Sequence, residues 1–218
     1  MAVQDYFSYL LNPLELLRTK KVLQVNPTVV SQRAEPVETK LTVYDYNTDR
    51  LDIKALTKVA DCFPYIDPQT VSWINVDGLR KDDVEAICKH FGVHYLITED
   101  ILSLGQRPKM DEIDGLLFCL LNMLYFNDKD SAVEIEQISI VLGKNFVISF
   151  QEDATRDVFN PLRERLKVGT TKVRQNGADF LFYALIDMIV DNYYVVMEKL
   201  GEKIEGLEED IVRNANTR

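Results

Sequence analysis

Apolar residues along this chain change their spacing several times, and each change marks an element. Leu41, Val43 and Tyr46 alternate with polar neighbours as a strand does. Residues 51–60 have helix-compatible spacing until Pro64 and Pro68 break it. A second strand covers residues 71–76 and closes at Asp77-Gly78, a turn dipeptide. Asp82 with Glu85 three residues on has the form of a capping box. Val84, Ile87, Cys88 and Phe91 then fall at helical spacing up to Gly92, which supplies the stop. Another helix is expected over residues 96–104, ending before the turn Gly105-Gln106-Arg107-Pro108, because proline disfavours helix in the residue before it.

Residues 115–126 are apolar on both alternations, and their length favours a strand buried on both faces. Residues 133–142 and 146–150 form two further β-rich runs around Gly143-Lys144-Asn145, a tight hairpin. A hairpin is antiparallel, so the predicted sheet is mixed. A short basic helix follows Pro161 with Arg163, Arg165 and Lys167, and Lys172 and Arg174 lie past Gly169. This charge reads as a solvated face.

Residues 178–213 contain no proline, and only Gly201 and Gly206 lower their helix propensity. One long helix is predicted there. Its apolar residues Leu185, Ile189, Tyr193, Val196, Leu200, Ile204, Leu207 and Ile211 recur every ~3.7 positions, which keeps one stripe nearly straight. Asp187, Asp191, Glu198, Glu202, Glu205 and Glu209 form an acidic stripe at helical spacing. Such a helix is too long for the small domain before it, as though a longer stalk or hairpin continued past Arg218. The pattern thus predicts an α/β fold, a three-layer α/β/α sandwich with a mixed sheet over residues 41–170. Residues 1–40, with Pro13, Pro27 and Pro36, read as an irregular arm, and residues 171–218 as the long helix with its approach.

Composition adds exclusions. The 218 residues are 46% hydrophobic and 28% charged, enough for a real core. Cys62, Cys88 and Cys119 are odd in number and widely spaced, which fits neither a disulfide framework nor a thiolate cluster and points to a reducing cytoplasm. No secretory leader is expected at the start, and no window is expected to cross a bilayer; residues 115–126 are about half the length needed. A net charge of -10 disfavours nucleic acid as a partner.

The chain has no Gly-rich phosphate loop, Cys-x-x-Cys pair, His-Glu-x-x-His or Gly-x-Ser-x-Gly elbow, so no enzyme is predicted. His90 and His94 lie near Cys88 at a zinc-like spacing, but Gly92 breaks the helix that would align them. Two acidic pairs remain: Glu99 with Asp100, and Asp187 with Asp191 one turn on. From spacing alone they read as solvated helix faces, and a hard cation with oxygen ligands is the alternative that would compensate their like charges.

Trp73-Ile74-Asn75-Val76-Asp77-Gly78, Phe91-Gly92-Val93-His94, Glu99-Asp100-Ile101-Leu102 and Arg107-Pro108-Lys109 resemble, in order and interval, the cytoplasmic part of CorA-type magnesium transporters. Val158-Phe159 with Pro161, Arg163 and Arg165 continues the resemblance. So do Ala178-Asp179-Phe180-Leu181-Phe182-Tyr183-Ala184-Leu185-Ile186-Asp187, Glu198-Lys199 and Leu207-Glu208-Glu209. The resemblance implies the Mg2+-sensing regulatory domain of a homopentameric divalent-cation channel, on the cytoplasmic face of the bacterial inner membrane. Membrane helices and a pore motif would lie beyond residue 218.

It also implies that Mg2+ binds between neighbouring domains and holds the pore shut. Asp100 matches the principal sensing carboxylate, and Glu99 and Asp187 match acids supporting a second, more hydrated ion. A further acid lies on the neighbouring subunit's stalk, so Mg2+ binding by this piece is expected to be weak. Tyr95 stands where the family often has proline, and residues 1–40 match nothing in it. The alternatives are a zinc, cobalt or nickel transporter of the same family, and a soluble helical-stalk adaptor without metal.

Overall fold

The computed structural model describes residues 38–103, 105–128, 132–153 and 157–215. Apart from residues 38–40, the arm expected over residues 1–40 lies outside the described residues. Alternation of side chains makes the strands: β1 (Lys40–Tyr46), β2 (Leu51–Leu56), β3 (Val71–Asp77), β4 (Lys109–Ile113), β5 (Leu116–Asn127), β6 (Ala132–Leu142) and β7 (Phe146–Gln151). They form one seven-stranded sheet in the order β2-β1-β3-β7-β6-β5-β4. β3 and β7 are parallel and every other neighbouring pair is antiparallel, so the sheet is mixed.

The period of two sends neighbouring residues to opposite faces. Ile74, Val76, Phe146, Ile148 and Phe150 pack on one face with α1 (Lys81–His90) and α2 (Tyr95–Leu102), through Val84, Ile87, Cys88, Ile97 and Ile101. Trp73, Met123, Ile138, Ile140 and Val147 pack on the other, against α3 (Asn160–Lys167), α4 (Lys172–Gln175) and α5 (Ala178–Ala215). This is the three-layer α/β/α arrangement the pattern predicts. α5 crosses β5 and β6 and runs unbroken for 38 residues, through both Gly201 and Gly206.

The structure corrects four expectations. Residues 51–60 are not a helix: β2 and a 3-10 turn at Val59–Cys62 occupy them. β2 is an edge strand with only intermediate or exposed side chains, so no buried face imposes a clear alternation. Its register comes instead from Asn47, whose Oδ1 accepts the backbone N–H groups of Asp49 and Arg50 at 3.0 and 2.9 Å. The capping box does not form either. α1 begins at Lys81, with Arg80 as N-cap and no side-chain cap bond, so Asp82 and Asp83 serve its first turn through the helix dipole. At the other end Gly92 takes φ 70°, and Val93 N–H reaches Cys88 O at 2.8 Å, ending the helix as expected.

The third correction is β4, which the sequence reading lacks. Asp114 and Gly115 have φ of 53° and 78°, the paired positive values of a two-residue hairpin loop, and they fold Lys109–Ile113 back on β5. The fourth concerns membrane-crossing windows. Within Ala178–Arg213 an 18-residue window reaches a mean hydropathy of 1.4 and passes a length-and-composition test for a span. Asp187, Asp191 and Asn192 interrupt its apolar character, and Leu181, Leu185 and Ile189 within it are fully buried against the sheet.

Candidate functional site

α2 forms because His94 caps it, its Nδ1 accepting the N–H of Leu96 at 3.3 Å, and because Ile97 and Ile101 are buried one turn apart. That burial turns Glu99 to solvent and leaves Asp100 half-buried on the last turn. The turn is held from β6. Gln137 donates from Nε2 to the carbonyls of Asp100 and Ser103 at 3.1 and 2.9 Å, and its Oε1 accepts the N–H of Gln106 at 3.3 Å. Carbonyls at a helix C-terminus have no partner within the helix, so one buried glutamine fixes both the helix end and the loop beyond it.

Asp100 is not free. Lys109 Nζ donates to its Oδ2 at 2.6 Å and lies 3.7 Å from Asp111 Oδ2. The hydrogen bond to Asp100 raises the lysine's pKa above its ordinary value. Asp187 lies on the opposite layer, on α5, where it accepts a hydrogen bond from Tyr183 at 3.3 Å. Its negative charge, and then that bond, raise the tyrosine's pKa. The sheet therefore separates Glu99 and Asp100 from Asp187 within one chain. Among the described residues no three His, Cys, Asp or Glu side chains are grouped to hold a metal ion. The described residues of one chain do not fit a Mg2+ site: Asp100 is occupied by a lysine, and Asp187 lies on the other layer.

Softer ligands are engaged as well. His90 Nε2 lies 3.0 Å from Phe63 O and its ring stacks on Phe63, while His94 is spent on its cap. All three cysteines are buried, and burial pushes their thiols up, Cys62 to about 12 and Cys88 and Cys119 to about 11. The zinc spacing of His90 and His94 thus yields no site.

Two segments of the resemblance meet at a second cluster. Trp73 Nε1 donates to Ser149 Oγ at 2.9 Å, and Ser149 donates to Asn75 Oδ1 at 2.8 Å. Asn75 in turn donates to both Asp77 oxygens at 3.0 Å. Arg163 covers the Trp73 ring at 5.3 Å and pairs with Asp157, and Phe159 meets Trp73 edge-on. Burial, then the Asp157 charge, raises the Asp77 carboxyl. These bonds fasten α3 to the sheet, and Gln151, whose Nε2 donates to Asp157 Oδ2 at 3.4 Å, keeps a buried Oε1 with no partner among the described residues.

Sequence reading missed Lys109 as a partner of Asp100 and Gln137 as the clamp. The adjacent polar pair Glu136-Gln137, which breaks the apolar-polar alternation of β6, was the available signal. Both are buried, and Glu136 Oε1 accepts the N–H groups of Glu152 and Asp153 at 2.8 Å each.

These features define a class: a three-layer α/β/α domain whose last helix outruns its own core and carries acids on two layers. A family profile for CorA-like Mg2+ transporter proteins matches residues 68–218, and the chain belongs to that family. It is 37% identical over 174 residues to the cobalt/magnesium transport protein CorA of Thermotoga maritima, covering 79% of this chain and 49% of that protein. It is 28% identical over 141 residues to the magnesium transporter ALR2 of Saccharomyces cerevisiae, covering 64% of this chain and 16% of that one. The chain thus spans about half or less of these relatives. Its fold is similar to the soluble domain of CorA from Methanocaldococcus jannaschii, at 15% identity and a TM-score of 0.57 over 78% of this chain and 64% of that one.

Proposed function

We propose that this chain is the cytoplasmic, Mg2+-sensing domain of a CorA-like divalent-cation channel, and that Asp100, Glu99 and Asp187 are its ion-facing acids. The observation that carries the reading is the family match from residue 68 to 218, which runs through all three acids. The separation of the acids on two layers accords with it. A site assembled between neighbouring copies of a pentamer draws one acid from each side of the domain, and no single copy completes it. On this reading α5 leads through a stalk to membrane helices beyond residue 218.

Magnesium is preferred over zinc or nickel because the matched residues are all carboxylates. A hard cation takes oxygen ligands, while borderline metals favour the nitrogen and sulfur donors that are engaged or buried here. The parent gene tests the transporter reading. The sequence following residue 218 should encode two apolar spans of about 20 residues each. Their absence would leave the helical-stalk adaptor as the better account.

A further inference from the structure

Two buried side-chain oxygens at one end of the sheet can only accept hydrogen bonds, and neither finds a donor among the described residues. One is Oε2 of Glu136, a residue of β6 that is 6% exposed and whose Oε1 takes the N–H groups of Glu152 and Asp153. The other is Oε1 of Gln151, the fully buried last residue of β7, whose Nε2 donates to Asp157. Ile138 and Ile140 on β6 and Val147 on β7 pack on the face toward α3 and α5, and the strand period of two puts Glu136 and Gln151 on that same face. Ser139 stands opposite Phe150, so continuing the register sets Gln151 beside Ile138 and makes Glu136 its diagonal neighbour, within reach of long side chains.

A buried acceptor without a donor is costly, and here two stand on neighbouring strands. No cation serves them. The charges that bear on Glu136 are those of Glu152 and Asp153, both acidic, and none comes from α3, α5 or β5. On β5 the residue opposite is Met123, and the hydroxyl of Tyr125, diagonal to Glu136, does not bond its Oε2. Beyond Gln151, Asp157 and Arg163 are paired with each other. Burial, opposed by the two backbone N–H bonds and aided by the acids of 152 and 153, raises the Glu136 carboxyl above its ordinary value.

We propose that Glu136 is a proton-operated latch: as the neutral acid it donates from Oε2 to Gln151 Oε1, and as the carboxylate it leaves both oxygens without a donor. One proton passes between solvent and Oε2, and one hydrogen bond is made or lost with it. A cavity of about 490 Å3, lined by Asn122, Ile135 and Glu136 itself, gives that proton its route. Closed, the latch ties β6 to β7 and, through Gln151 and Asp157, to the start of α3. Gln137, the next residue, faces the opposite layer and holds the end of α2, so one strand carries both the latch and the clamp.

The test is a pH titration of the 13C-labelled 218-residue chain by NMR, with Glu136 and Gln151 assigned through the backbone. The Glu136 carboxyl carbon should titrate above the ordinary glutamate range, and the side-chain carbonyl carbon of Gln151 should shift with the same midpoint. Glu136→Gln puts an N–H donor where the neutral acid has its O–H and so stands for the closed latch at every pH. A carboxyl raised in the folded state favours folding at low pH, an advantage lost as pH rises through its folded midpoint. The parent should therefore melt below Glu136→Gln by a gap that widens from pH 5 to pH 8 and reaches roughly 2–4 °C, the size expected for one hydrogen bond in a chain of this length. A Glu136 carboxyl in the ordinary range, or a melting gap that does not change with pH, would overturn the latch. A Gln151 carbonyl that ignores the Glu136 midpoint would overturn it too, by placing an internal water where the donor should be.

Discussion

The two halves of α5 share one apolar periodicity and differ in what it meets. In the inner half Leu181, Leu185 and Ile189 are fully buried, and Val196 is 4% exposed. In the outer half Leu200, Ile204, Leu207 and Ile211 continue the stripe at 37, 56, 52 and 69% exposure. The boundary is marked by polar anchors: Asn192 donates to the carbonyl of Leu124 at 2.5 Å, and the Tyr193 hydroxyl donates to that of Asn122. Val196, about one turn beyond them, is the last buried side chain described in the helix, which continues past it. Side pairs such as Lys199 with Glu202 and Arg213 with Glu209 support the outer half only weakly. Helical periodicity therefore sets the direction of a stripe, and only the length of the opposing surface decides how much of it becomes core.

The largest expected effect separates the halves directly. Leu185→Ala should destabilise the chain by about 2–5 kcal/mol in urea unfolding, the cost of a cavity in a closed core. Leu207→Ala should change it by less than about 0.5 kcal/mol. A comparable cost at Leu207 would mean that the outer half is packed in solution.

A smaller effect sharpens the boundary. Tyr193→Phe removes the hydroxyl that holds the Asn122 carbonyl and should cost about 1 kcal/mol. It should also speed amide exchange at residues beyond 193 more than at residues 178–189. Uniform exchange along α5 after this change would deny Tyr193 its anchoring role.

The smallest effect lies within the outer half. Gly206 has open space where a Cβ would stand, so Gly206→Ala meets no clash and should raise local helix stability by about 0.5–1 kcal/mol. Slower exchange around residue 206 with an unchanged unfolding midpoint is the expected signature. A shifted midpoint would show that the outer half unfolds together with the core.

Strands with two buried faces were the most legible parts of the sequence. β7 shows itself as a short apolar run because both layers of helices cover it and all its residues are buried, whereas β5, expected to be buried on both faces, is buried at Phe118, Cys119, Leu120 and Met123 and only part-buried elsewhere. The edges were not legible. β2 has no buried face to enforce alternation, and β4 depends on the Asp114-Gly115 turn rather than on its own side chains. The acids at 99, 100 and 187 could be named from resemblance. The ion pair with Lys109 could not, since it joins residues nine apart through a loop whose course follows from Gln137, 28 positions further on. Tertiary hydrogen bonds from a distant strand leave no local period to read.

The central claim is that Asp100 senses magnesium, and Glu202 on the exposed acidic stripe of the outer helix is its natural control. A sensor that responds at millimolar ion draws on a binding free energy of only about 4 kcal/mol, so losing one carboxylate should remove most of it. Calorimetric titration of Mg2+ into the chain, Asp100→Ala and Glu202→Ala tests this directly. The account predicts weak binding by the parent, little or none by Asp100→Ala, and binding close to the parent's by Glu202→Ala. Equal affinities for the parent and Asp100→Ala would contradict it.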